Sequence, residues 1–212
     1  MNKILPHLGV FLTFEGGEGA GKTTQIKLLQ KALIKKGHKV FITREPGGTH
    51  ISDQIRSILL HPDHHNMVPL CELFLYEAAR AQHVEEAILP HLKKKFVVIS
   101  DRFFDATTVY QGIARKLPSL WIKKLNQLAT HGLKPNLTII LDCPVEEGFH
   151  RLKQEKRKLD RLEHEKRSFH EKIRQGYIHL SKKESGRIKM IDGTQSHLYI
   201  HEKILDLVLK RL

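Results

Sequence analysis

Residues Gly16 to Thr23 read G-G-E-G-A-G-K-T and follow the apolar run Val10, Phe11, Leu12, Thr13, Phe14. This is G-x-x-x-x-G-K-[ST] in its proper setting: a strand, a glycine-rich turn, then a helix beginning near Lys22. Glycines let such a loop wrap tightly, so that successive backbone N–H groups point inward at an anion. The N-terminus of the next helix adds a partial positive charge. Lys22 can reach β- and γ-phosphates, and the Thr23 hydroxyl can ligate Mg²⁺. Gly16, Gly17, Glu18, Gly19, Ala20, Gly21, Lys22 and Thr23 thus form a candidate nucleoside triphosphate cradle.

Outward from that loop, apolar β-rich runs alternate with helical patterns. Strands are predicted over Val10–Glu15, Lys39–Thr43, Phe96–Ser100, Leu137–Asp142 and Arg187–Ile191. Helices are predicted over Lys22–Lys36, Ile51–Leu60, Pro69–Lys94, Ser119–His131, Val145–Lys156, Glu163–Ser185 and His197–Lys210. Strands apolar on both faces and separated by helices imply an α/β fold: a five-stranded parallel sheet in three layers, with helices on both faces. The length of 212 residues suits one domain spanning 1–212. Right-handed crossovers put all strand C-termini on one edge, where ligands bind.

Composition narrows the function. Lys and Arg number 36 against 23 Asp and Glu, a net charge of +13. That raises nucleic-acid binding, but the charge is spread over several helices and lacks the aromatic interleaving that stacks bases. A basic surface equally suits an enzyme of polyanionic substrates. No apolar run is long enough to span a bilayer, and the N-terminus lacks a signal-peptide pattern. Cys71 and Cys143 are read as reduced core cysteines, which suits a cytoplasmic setting. His61, His64 and His65 in H-P-D-H-H lack a second ligand pair and read as a solvated turn.

Further candidates fall at the same sheet edge. Arg44 opens R-E-P-G-G-T, and a guanidinium just beyond a buried strand can hold a phosphate bidentately. Asp101 ends the third strand, where Mg²⁺ or its waters are held, and Arg102 beside it can bind an acceptor phosphate. Glu18 is an acid within a cradle for anions, which suits a metal or its water. Tyr76 and Arg80 are four apart, so they share a helix face and offer a planar base an aromatic surface beside a guanidinium.

The set F-E-G-G-E-G-A-G-K-T-T, T-R-E-P-G-G-T, A-A-R-A-Q-H-V, D-R-F followed by V-Y-Q-G, and L-D-R-L-E resembles bacterial thymidylate kinase from about Gly9 onward. The resemblance implies ATP-dependent conversion of dTMP to dTDP, a P-loop kinase fold, a homodimer and a mobile lid. It places Tyr76 against thymine and Arg80 at the base edge. It sets Arg102 on the dTMP phosphate, with Asp101 and Glu18 near the metal. It puts Thr107 facing thymine N3 and Tyr110 beside the deoxyribose, with Gln111 of the same V-Y-Q-G stretch in the dTMP site. Glu45–Pro46 matches the family's cis peptide. Ala106 departs from the Ser that many members carry.

Some members of the family carry a catalytic arginine inside the phosphate loop. Here Gly19 follows Glu18, yet charge developing on the transferring phosphoryl group still needs a cation. Residues 151–167 hold eight Lys or Arg and read as a basic lid over about 150–167, too polar to pack. The chain thus resembles the bacterial type whose lid supplies the arginine. The candidates are Arg157 and Arg161, then Arg151.

Overall fold

The computed structural model describes residues 8–154 and 158–212. Five strands form one parallel sheet: β1 (Phe11–Gly16), β2 (Val40–Arg44), β3 (Val97–Asp101), β4 (Leu137–Asp142) and β5 (Ile188–Asp192). Their spatial order is β2-β3-β1-β4-β5. Each expected strand is present, four of them displaced by one residue toward the C-terminus. The topology reverses around β1, which has β3 on one side and β4 on the other. That reversal opens a crevice at the strand C-termini. The register brings Phe14 and Arg44 level with Asp101 across the sheet.

Alternation along β1 divides the core. Leu12 and Phe14 join Ile26, Leu29 and Leu33 of helix α1 (Lys22–Lys35) and Ile200, Ile204 and Val208 of α9 (His197–Leu209). On the other face Phe11 packs with Val84, Ile88 and Phe103. Further along that layer Val109 and Tyr110 pack with Phe169, Ile173 and Tyr177 of α8 (Arg167–Lys183). The predicted helix over 69–94 is interrupted. It consists of α3 (Pro69–His83), a π-helical turn Val84–Ile88 and α4 (Leu89–Lys93). The sequence pattern assigns no element to residues 104–114. They form α5 (Phe104–Thr107) and a π-helical turn Thr108–Ala114. That stretch has no regular 3.6-residue apolar period, because its inward side faces the crevice as well as the core. The remaining helices are α2 (His50–Leu60), α6 (Ser119–Ala129) and α7 (Val145–Gln154).

Two expectations are corrected here. Cys71 is exposed and only Cys143 is buried. The basic segment is not too polar to pack: Leu152, Arg161 and Leu162 are all buried. Among the described residues no group of His, Cys, Asp or Glu could hold a metal ion by itself, and His61, His64 and His65 lie at a surface turn.

Candidate functional site

The phosphate loop has the backbone that its glycines imply. Gly16, Gly19 and Gly21 all have positive φ, at 135°, 65° and 88°. The Lys22 ammonium donates to the carbonyls of Gly16 and Gly17, at 3.3 and 2.9 Å. Burial and the neighbouring Arg102 charge lower its pKa. Gly19 meets α7 at Gly148 with no side chain between them. A Cβ on Gly19 would strike the Gly148 carbonyl oxygen, and one on Gly148 would strike that of Glu18. An arginine at position 19 is therefore excluded by packing as well as by composition.

Arg102 is held in the crevice by its backbone and by its guanidinium. Its φ of 70° lies in the left-handed region, a strain that persists only when the surroundings over-determine it. Its N–H donates to Phe14 O at 2.9 Å, and Ser100 Oγ donates to its carbonyl at 2.7 Å. Nη1 donates to Gly16 O at 3.0 Å and to Tyr177 Oη at 3.3 Å, while Nη2 donates to Glu18 Oε1 at 2.8 Å. The guanidinium lies 5.1 Å from the centre of the Tyr110 ring, and Tyr110 Oη donates to the same Glu18 oxygen at 2.8 Å. Burial alone would raise the Glu18 carboxyl. Arg102 and Lys22 outweigh it and, with Tyr110, hold the pKa at about 2.

Beneath Arg102 lie two residues that the sequence reading missed. Glu15 accepts from Phe103 N–H at 2.8 Å and from Tyr177 Oη at 2.7 Å. Burial and Asp105 push its carboxyl up to about 8, against Arg102, Tyr177 and Phe103 N–H. An acid closing an apolar strand is a legible signal for Glu15. Tyr177 carries none, because its partner lies 162 residues away.

One cleft of about 740 Å³ takes in the loop from Glu18 to Thr23 together with Arg44, Tyr76, Arg80, Asp101, Arg102, Thr107, Tyr110 and Gln111. Arg80 is locked by Glu45 Oε2 at 2.8 Å, Glu77 Oε1 at 2.9 Å and Asn126 Oδ1 at 3.1 Å. Glu45–Pro46 is cis. The Thr107 hydroxyl is buried on this wall without a hydrogen-bond partner among the described residues, which leaves its capacity for a ligand. Arg44 is more than half exposed and pairs with Asp53 at 3.4 Å.

The family model described as thymidylate kinase matches residues 14–204. The chain belongs to the thymidylate kinase family. It is 54% identical over 192 residues to a thymidylate kinase of Geotalea daltonii, covering 88% of this chain and 90% of that one. It is 50% identical over 216 residues to one of Geotalea uraniireducens, covering 97% and 99%. Among solved structures, the thymidylate kinase of Ehrlichia chaffeensis superposes with a TM-score of 0.74 at 31% identity, over 94% of this chain and 98% of that one.

The remaining candidate cations are those of the basic segment. Arg151 lines the cleft. It is held by Glu147 Oε1 at 2.8 Å and donates to Gly193 O at 3.1 Å. Arg161 turns away from the cleft into a buried ion cluster with Glu72 at 2.8 Å. Arg157 lies outside the described residues. Two of the three expected metal residues suit Mg²⁺. The Thr23 side chain is accessible at the first turn of α1 and Asp101 ends β3, both on the cleft wall. One carboxylate and one hydroxyl fit an ion that keeps several waters and shares phosphate oxygens. Glu18 is instead engaged by Arg102 and Tyr110.

Proposed function

We propose that this chain transfers the γ-phosphoryl group of ATP to the phosphate of dTMP, giving dTDP. The observation that carries the reading is the single cleft shared by the phosphate loop and the Tyr76–Arg80–Thr107–Tyr110 wall. The loop and Lys22 hold the ATP phosphates. Arg102, with Arg44 on the same wall, holds the dTMP phosphate, whose oxygen is the nucleophile. Tyr76 and Arg80 receive the base, and the unpartnered Thr107 hydroxyl meets its polar edge. The work is positioning and charge stabilisation, with no covalent enzyme intermediate. Thr23 and Asp101 would hold Mg²⁺, which neutralises phosphate charge when bound. The cation for the transferring group comes from Arg151 or Arg157, since Arg161 is committed elsewhere. A coupled assay of ADP release with each nucleoside monophosphate tests the reading. dTMP should be strongly preferred. Equal rates with another monophosphate, or hydrolysis stimulated by DNA without transfer, would refute it.

The reading includes a cytoplasmic enzyme, supported by its two free thiols, and a homodimer. Packed helices α2 and α3 expose Ile51, Ile58, Leu70 and Phe74, the last at 52%. These exposed apolar side chains on two packed helices support an interface between two copies of the chain. Light scattering should give twice the 24.5 kDa chain mass, and Phe74→Asp should halve it. A monomeric wild type would overturn the dimer.

A further inference from the structure

Glu72 stands on α3 one turn before Tyr76 and is fully buried. Its Oε1 accepts from Gln111 Nε2 at 2.8 Å and from Arg115 Nε at 3.2 Å. Its Oε2 accepts from Arg115 Nη2 at 3.1 Å and meets Arg161 Nη2 at 2.8 Å. Arg161 arrives from the segment after α7 and is tied to the end of α2 as well. Its Nε donates to Leu59 O at 2.7 Å and its backbone N–H to Leu60 O at 3.0 Å. Leu162, the next residue, joins the core with Tyr110 and Phe169, and Leu60 and Tyr76 pack against that cluster.

The neighbours of this pair form the cleft wall. Leu60, Tyr76, Gln111, Leu162 and Glu163 all line it, while Arg161 between them points inward to Glu72. A buried ion pair of this kind contributes little net stability, and in some proteins it serves to fix the arrangement of the elements it joins. The elements joined here are α2, α3, the Thr108–Ala114 turn and the segment after α7.

We propose that Arg161 and Glu72 are positioning residues for the dTMP site. The pair clamps the segment after α7 onto α2 and α3 and so sets the nucleoside wall. Arg161 does not meet ATP. This rests on the dTMP reading above.

The test compares wild type, Arg161→Met, Glu72→Gln and the double variant. Calorimetry gives dTMP affinity, steady-state kinetics gives kcat and both KM values, and thermal unfolding reports the fold. Arg161→Met should fold, because Glu72 keeps Arg115 and Gln111. Its dTMP affinity should fall by roughly tenfold, a normal coupling for residues in one ion network. Its kcat and ATP KM should change by less than about threefold, because no group that meets ATP is lost. The double variant should be no weaker than the weaker single one. Arg161→Lys should recover only part of the loss, since an ammonium cannot span Leu59 O and Glu72 as the fork does. If Glu72→Gln fails to fold, with the Arg161 guanidinium left short of a carboxylate while Arg115 keeps Glu165 at 2.6 Å, Arg161→Met and Arg161→Lys decide alone. A hundredfold fall in kcat with unchanged dTMP affinity would make Arg161 a catalytic residue and overturn the proposal. So would wild-type parameters in folded Arg161→Met. A wild type that binds no dTMP overturns the function reading along with it, whereas normal wild-type binding with unaltered variants overturns the pair alone.

Discussion

At the Gly19–Gly148 contact two backbones touch, and the loop that cradles phosphate is braced by the first turn of α7. Gly148→Ala drives a methyl group against the Glu18 carbonyl. The loop must shift, and misplacement of reacting groups by about 1 Å costs up to ~10²-fold in rate. We expect kcat/KM for dTMP to fall at least about tenfold while the unfolding midpoint changes little. Wild-type kinetics in this variant would show that the loop does not need the brace. Tyr110 is the second informative residue. Its ring faces Arg102 and its hydroxyl binds Glu18, so removal has two separable effects. Tyr110→Phe keeps the ring and should keep discrimination against a ribose counterpart of dTMP. Tyr110→Ala opens the wall and should lose about 1–3 kcal/mol of it. The ratio of kcat/KM values for the two sugars measures this, and an unchanged ratio in Tyr110→Ala would remove the ring from the sugar site.

At the scale of elements, α7 and the segment after it divide their arginines between two tasks. Arg151 stays on the cleft, whereas Arg161 is buried against Glu72. An arginine that meets charge only in the transition state lowers kcat on removal more than it raises KM. Such arginines are worth ~10³-fold or more elsewhere. Arg151→Ala or Arg157→Ala should therefore cut kcat by more than about a hundredfold, with ATP KM far less affected. If both keep near-normal kcat, Arg102 and Arg44 must carry the charge alone. Arg161 lies nearer the centre of the basic run than Arg151 and beside L-D-R-L-E, so the sequence ranks it higher. Spacing along a chain does not tell which cation finds a buried carboxylate.

The architecture of the whole molecule accounts for part of its positive charge. In a parallel sheet the helices that return the chain all end at the edge opposite the site. Lys35 and Lys36 close α1, Lys93 and Lys94 close α4, and Lys182 and Lys183 close α8. Each cation there meets the negative end of a helix dipole, worth about 0.3–1 kcal/mol at low salt. The stability of the fold should also carry the signature of Glu15. Its carboxyl titrates at about 8 when folded against 4.5 in the ordinary case. Between those values the folded chain binds the extra proton, so stability falls as pH rises through that window. Glu15→Gln should flatten this slope in unfolding midpoints recorded across the window. An identical slope in the variant would place the titration on another group.

The parallel sheet, the phosphate loop and the family are legible in the chain alone, because each rests on local chemistry. Period-2 and period-3.6 apolar patterns, glycines where φ must be positive, and Lys22-Thr23 at a helix start are all legible within a few residues. The same pattern brings Arg44, Asp101 and Arg102 to one edge, since parallel strands must end together. Which charges meet is settled by packing. Glu18 serves Arg102, Glu72 claims Arg161, and Tyr177 reaches Glu15 across the fold. Those choices arise when desolvation forces each buried ion to find a partner, and the partner comes from whichever distant element the packing has placed alongside.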